Sequence, residues 1–229
     1  MGLRRGEAEG GADQQRGLRP GAPTTLLYID FTIFKALNGL AVGHDGLEDP
    51  LRFFAINAQY FFIAVLAALF LARGKWRSVN GRHAVVAAGF SALLALGMAH
   101  LLAELWARPR PYLTHPDAHL FIPRSHDTSF PSDHATAGFA IAVALLLRHR
   151  KAGWLALAMA MVMSLARVVV GTHYPGDVLA GAATGTVAAL GLWHPSVREP
   201  LHRLGEWAGR LYERGTSALL RLPPPREAG

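Results

Sequence analysis

The chain contains no cysteine. That excludes disulfide staples and thiol nucleophiles, and it leaves the redox compartment open. Charge is also scarce: Asp, Glu, Lys and Arg make up 17% of the residues, against 51% hydrophobic. The charges are clustered, so the tracts 53–72, 84–103, 135–147, 152–166 and 178–193 carry none. These tracts lack the polar face of a soluble amphipathic helix, which argues against a soluble bundle. No tandem repeat at solenoid periods is present. Residues 1–24 are rich in Gly, Arg, Glu and Gln and lack an apolar core. They do not read as a signal peptide, and are expected to be a disordered cytoplasmic tail.

What is there suits a bilayer. The first two uncharged tracts match the roughly 20 apolar residues that cross a membrane, and the others become adequate with their flanks. Six membrane helices are expected, at about 25–43, 49–72, 83–106, 132–149, 152–171 and 175–193. Asp30, Lys35 and Asn38 interrupt the first, which either spans or lies in the interface. In the segment 195–229, Leu201, Leu204, Trp207, Leu211, Leu219 and Leu220 alternate with Arg203, Arg210, Arg214 and Arg221. Such a helix lies on an anionic membrane face or docks on its own core. The expected fold class is therefore all-α: a polytopic membrane protein with a six-helix bundle core over 25–194 and an amphipathic C-terminal helix.

The net charge of +7 would suggest nucleic acid in a soluble domain. Here the basic residues flank apolar tracts, and no basic patch is interleaved with aromatics. Membrane orientation explains them, and no nucleic-acid partner is expected. Arg73, Lys75, Arg77 and Arg82 follow the second helix, and Arg148, Arg150 and Lys151 follow the fourth. Both loops and the Arg-rich C-terminal segment belong on the cytoplasmic side. The connections 44–50, 107–131 and 172–174 then face outward. Arg108, Arg110 and Arg124 in the middle one break the rule and call for another explanation.

Three motifs share that outer side. Arg108-Pro109-Arg110-Pro111 ends the third helix, Pro131-Ser132-Asp133-His134 opens the fourth, and Arg167, His173 and Asp177 straddle the turn between the fifth and sixth. Each has a bland reading: helix termination for Arg-Pro, an N-cap for Ser132, a helix-surface pair for His173 and Asp177. Arg167 is harder to dismiss, because an intramembrane cation needs a partner or hydration. Together the residues suit a phosphate. Guanidiniums clamp its oxygens, a helix start adds backbone N–H groups, and two histidines supply a nucleophile and an acid. Asp177 can fix the tautomer of His173 and support its charge. Asp133 is expected to pair with Arg108 or Arg110 and to shape the pocket for a diphosphate. The rival reading is a divalent metal on Asp133, His134, His173 and Asp177.

RPRP, PSDH and RVVVGTHYPGD resemble the three signature motifs of the type 2 phosphatidic acid phosphatase superfamily, over about residues 28–193. HDTSFPSDHAT more closely resembles its bacterial undecaprenyl-diphosphatase branch, associated with bacitracin resistance. The resemblance implies a six-helix membrane core and metal-independent hydrolysis through a phosphohistidine. It assigns His173 as nucleophile with Asp177 as its partner, His134 as general acid, and Arg110, Arg167 and Ser132 as phosphate ligands. The sequence departs from the pattern at three places. Ala103, next to Glu104, stands where the family has Lys, so Arg108 is expected to substitute. Asp133 replaces a Gly, as in the undecaprenyl branch, and Ala166 replaces the Ser before Arg167. The implied function is conversion of undecaprenyl diphosphate to undecaprenyl phosphate at the outer face of a bacterial cytoplasmic membrane, with no cofactor and with the lipid diphosphate and membrane lipids as partners. The alternatives are a phosphatase for phosphatidylglycerol phosphate or phosphatidic acid, and a non-catalytic lipid-phosphate transporter.

Overall fold

The computed structural model describes residues 25–72 and 79–220. The expected tail 1–24, the basic residues Arg73, Lys75 and Arg77, and residues 221–229 lie outside the described residues. Every regular element among the described residues is a helix: α1 (Thr25–Gly39), α2 (Asp45–Leu71), α3 (Val79–Leu105), α4 (Pro111–Thr114), α5 (Asp133–Leu146), α6 (Arg150–Val169), α7 (Pro175–Gly191) and α8 (Pro195–Leu220). A helix covers each of the six segments where a membrane helix is expected. The four-residue α4 was not anticipated.

Three helices are long and apolar enough to cross a membrane: Gly46–Leu71, Gly81–Leu105 and Arg150–Val169. The chain is a membrane protein. The fourth expected span, 132–149, is shorter than expected, because α5 has 14 residues. Its end is set by the turn into α6, where a Cβ on Gly153 would lie 2.4 Å from the Leu146 backbone. A helix of that length rises only about 21 Å, against a hydrocarbon core of about 30 Å.

α5 sits in the middle, packed on α3, α6 and α7. Small residues fill this core: Ala135, Ala140, Ala142 and Ala144 of α5, Ala156 and Ala160 of α6, and Ala188 and Ala189 of α7 are buried. Large ones point outward, among them Phe53, Ile63, Leu93, Leu101, Trp154 and Leu155. In lipid, burial of apolar surface gives helices little reason to associate, so close backbone approach takes over. α7 shows this directly. A Cβ on Gly185 would lie 2.3 Å from the Thr136 carbonyl oxygen, and one on Gly181 would lie 2.7 Å from that of Ser132. α7 thus packs inside the bundle, as its small-residue spacing predicts, with its N-terminus beside that of α5.

The polar residues of α1 are not interruptions. Asn38, buried, donates to the carbonyls of His119 and Val169 and accepts from the His119 amide. Lys35 pairs with Asp117 at 2.6 Å. Asp30 accepts from Arg108 and from the Gly176 amide, each at 2.7 Å. They dock α1 on the loop after α4 and on the start of α7. With 15 residues, α1 is not among the helices long enough to cross. α8 docks on α3 through Leu201, Gly205 and Gly209 and keeps Leu204, Trp207 and Leu211 exposed. One face takes the core and another stays apolar and open.

Candidate active site

His173 lies in the tight connection between α6 and α7 and is 2% exposed. Gly171 makes that connection possible: its φ is +86°, and a Cβ there would meet the His119 carbonyl oxygen at 2.1 Å. The Nδ1 of His173 is 2.8 Å from the Ser129 carbonyl oxygen. A carbonyl only accepts, so Nδ1 carries the hydrogen and Nε2 keeps a free lone pair. Burial, together with the charges of Arg167 and Arg110, holds the imidazole well below its ordinary pKa, so it is neutral.

Two guanidiniums face that lone pair. Arg110 Nη1 is 3.4 Å and Arg167 Nη2 is 3.5 Å from His173 Nε2. Both distances are long for a hydrogen bond. Arg110 is fixed from behind by Asp127, at 2.9 Å, and by the Thr172 carbonyl. Arg167 donates to the Ala55 carbonyl at 3.4 Å, while its Nε is buried without a partner. Ser132 Oγ is likewise buried and unpartnered. Ser132 stands at the N-cap of α5, but its hydroxyl makes no capping bond. The N-cap reading of this serine therefore fails. Its own amide donates to the Asp177 carbonyl, which locks the starts of α5 and α7 together. The donors left unused on Ser132, on Arg167 and in the first turn of α5 are of the kind that a tetrahedral anion accepts from.

Asp177 is fully buried, but it does not bond His173 directly. Its Oδ2 is 3.9 Å from Nδ1. The carboxylate accepts from Ser129 Oγ, from the Tyr174 amide at 2.9 Å and from Arg108 at 2.8 Å. Ser129 is the link: its carbonyl takes the His173 proton while its hydroxyl holds Asp177. Arg108 is not available to a phosphate, because it bridges Asp30 and Asp177 and lies 3.7 Å from the Tyr174 ring centroid. It is a buried tie between α1 and α7 and does not replace the family lysine.

Asp133 is exposed, and the expected pairing with Arg108 or Arg110 does not occur, since both guanidiniums hold other carboxylates. Asp133 points away from the α7 side of its helix, where Ser132 and Thr136 are packed. The four residues of the metal alternative do not converge, and among the described residues no three His, Asp or Glu side chains could hold a metal ion. His134 follows Ser132 by two residues, in the first turn of α5. It lines an apolar groove of about 440 Å³ with Phe62, Ile63, Leu96 and Ile141. Arg124 stays exposed, with its guanidinium 5.9 Å from the Tyr112 ring centroid. The parts played by Ser129, Asp127 and Asp30 escaped the sequence reading. The only signal for the first two was the polar run RSHDTSF, and for Asp30 a carboxylate in an apolar helix.

Several known proteins resemble this chain over much of its length. The undecaprenyl-diphosphatase BcrC of Bacillus subtilis is 30% identical over 195 residues, covering 85% of this chain and 97% of that protein. A decaprenylphosphoryl-5-phosphoribose phosphatase of Mycobacterium tuberculosis is 34% identical over 132 residues, covering 57% and 68%. The crystal structure of Aquifex aeolicus LpxE superposes with a TM-score of 0.59 at 24% identity, covering 71% of this chain and 93% of that one, a likeness of fold. The family model described as the PAP2 superfamily matches residues 84–199, the stretch that carries Arg110, Ser132, His134, Arg167 and His173, and this chain belongs to that superfamily.

Proposed function

We propose that this protein is a membrane lipid phosphatase that hydrolyses undecaprenyl diphosphate to undecaprenyl phosphate and inorganic phosphate. The observation that carries the reading is the neutral His173 Nε2 between Arg110 and Arg167, with buried unpartnered donors on Arg167 and on Ser132 at the start of α5.

In this reading Arg110, Arg167, Ser132 and the first amides of α5 hold the terminal phosphoryl group. The Nε2 lone pair of His173 attacks phosphorus, and the bond to the bridging oxygen breaks as His134 gives that oxygen a proton. Undecaprenyl phosphate leaves. His134 then takes a proton from water, the hydroxide attacks the phosphohistidine, and inorganic phosphate departs with His173 restored. The positive charge formed on His173 is met by the Ser129 carbonyl, which Asp177 holds through the Ser129 hydroxyl. The apolar groove beside His134 suits a hydrocarbon tail. The basic residues Arg148, Arg150 and Lys151 lie at the opposite end of α5, which supports a site on the extracytoplasmic face.

Phosphate release should be compared across undecaprenyl diphosphate, phosphatidylglycerol phosphate and phosphatidic acid, with the wild type and with His173→Ala. The reading expects the prenyl diphosphate to be preferred and turnover to fall more than about 1000-fold in the variant. Preference for a phosphate monoester would keep the chemistry and replace the substrate. Full activity in His173→Ala would overturn the mechanism.

A further inference from the structure

We propose that Arg148 and Arg198 form a second anion site, at the end of the bundle opposite His173, and that it takes the phosphate of an acidic phospholipid headgroup. Arg148 follows the last turn of α5, and Arg198 is in the first turn of α8. Their guanidinium carbons lie 4.7 Å and 5.0 Å from the centroid of the same indole ring, that of Trp193. Two cations gathered on one ring repel each other, and the attraction of the ring face offsets only part of this. Arg148 donates only from Nη1, to the Ala144 carbonyl at 3.3 Å, while its Nε and Nη2 are buried without a partner. The Nε of Arg198 is also buried and unpartnered. Its sole carboxylate neighbour among the described residues is Glu199 at 3.4 Å, on a side chain 56% exposed. Guanidinium N–H groups kept from water without acceptors are costly. A phosphate accepts several such bonds at once and cancels the repulsion.

The setting points to a lipid as the source of that phosphate. Between His202 and Glu213, about 17 Å of α8 axis at 1.5 Å per residue, the helix meets Phe70 at the end of α2 and the adjacent Arg82 and His83 at the start of α3. These contacts, spread along that length of α8, fall at the ends of α2 and α3, as in a helix that lies across the helix ends. Its open side carries Val197, Leu204, Trp207 and Leu211, flanked by Arg203, Arg210 and Arg214. An exposed apolar strip bordered by arginines is what a helix in the plane of an acidic leaflet presents. The Arg148–Arg198 pair opens at the start of this same helix.

The test titrates the purified full-length protein in neutral detergent with short-chain phosphatidylglycerol, phosphatidylcholine or inorganic phosphate. Thermal stability and lipid adducts in native mass spectra are read for the wild type, Arg198→Gln and Arg148→Gln. Phosphatidylglycerol is expected to stabilise the wild type and to remain bound, phosphatidylcholine to do so much less, and each substitution to weaken the lipid affinity about tenfold without changing basal turnover. Arg198→Gln alone suffices if the half-buried Arg148 variant does not fold. A stabilisation by inorganic phosphate that is lost in Arg198→Gln supports the anion site and assigns it to the free ion. Equal binding of phosphatidylglycerol by the wild type and Arg198→Gln, or no preference over phosphatidylcholine, overturns the proposal. None of these readouts depends on which lipid the catalytic site hydrolyses.

Discussion

The imidazole of His173 is held by the main chain of Ser129, at 2.8 Å, and not by the carboxylate of Asp177, which is 3.9 Å away. The carboxylate acts at one remove, through the Ser129 hydroxyl and the Arg108 tie.

Ser129→Ala keeps the carbonyl and deletes the hydroxyl. Loss of a hydrogen bond to a charged group is worth about 1.5–3 kcal/mol, so kcat should fall between about tenfold and 100-fold with KM little changed. A substitution with normal kcat would mean that Asp177 does not need this link.

Asp177→Asn removes one charge from a buried ion pair and leaves Arg108 with Asp30 alone. Breaking such a pair costs about 3–5 kcal/mol. The melting temperature should therefore drop together with activity, whereas Ser129→Ala should affect activity more than stability. Scanning calorimetry of both variants in detergent separates the two outcomes.

Because burial and two guanidiniums keep His173 neutral, the acid limb of kcat/KM should lie below its ordinary pKa of 6.5. The sign extends to a variant: Arg167 lowers the imidazole pKa, so Arg167→Gln should move the limb to higher pH while reducing turnover. An unmoved limb in Arg167→Gln would detach the profile from His173.

Gly185→Ala places a methyl 2.3 Å from the Thr136 carbonyl oxygen, so it should push α7 away from α5 and lower both activity and melting temperature. Gly191→Ala, with nothing within 4 Å, is the control and should behave as wild type. Equal behaviour of the two would remove the close α5–α7 contact from the account of the site.

The natural absence of cysteine gives a clean background for topology. His126→Cys and Lys151→Cys should react with a membrane-impermeant maleimide from opposite sides of intact cells. Labelling of both from one side would contradict the orientation inferred from the basic loops.

The helices and the residues that gather around His173 were readable from sequence because each signal is local. Uncharged tracts mark spans, and His173, Arg167 and Ser132 sit in short motifs. What was not readable depends on contacts between distant segments. Arg108 looked like a phosphate ligand until Asp30, 78 residues away, and Asp177, 69 residues away, were found on its guanidinium. Ser129 meets His173 across 44 residues. Asp30, Lys35 and Asn38 looked like flaws in a span because a helix is judged by its own polarity, and their partners lie on other elements. Asp133 failed for the opposite reason. Its neighbours in sequence suggested a partner, but the two arginines in reach had already found carboxylates.

The close approach of α5 and α7 bears on how such a protein can change over time. The starts of α5 and α7, which carry Ser132 and Asp177, rest main chain on main chain where Gly181 and Gly185 leave room. The bulky outer side chains take no part in that spacing. They can drift to suit membranes of different thickness or composition while the reaction geometry stays as it was. Two chains can then differ at most positions and still share the fold.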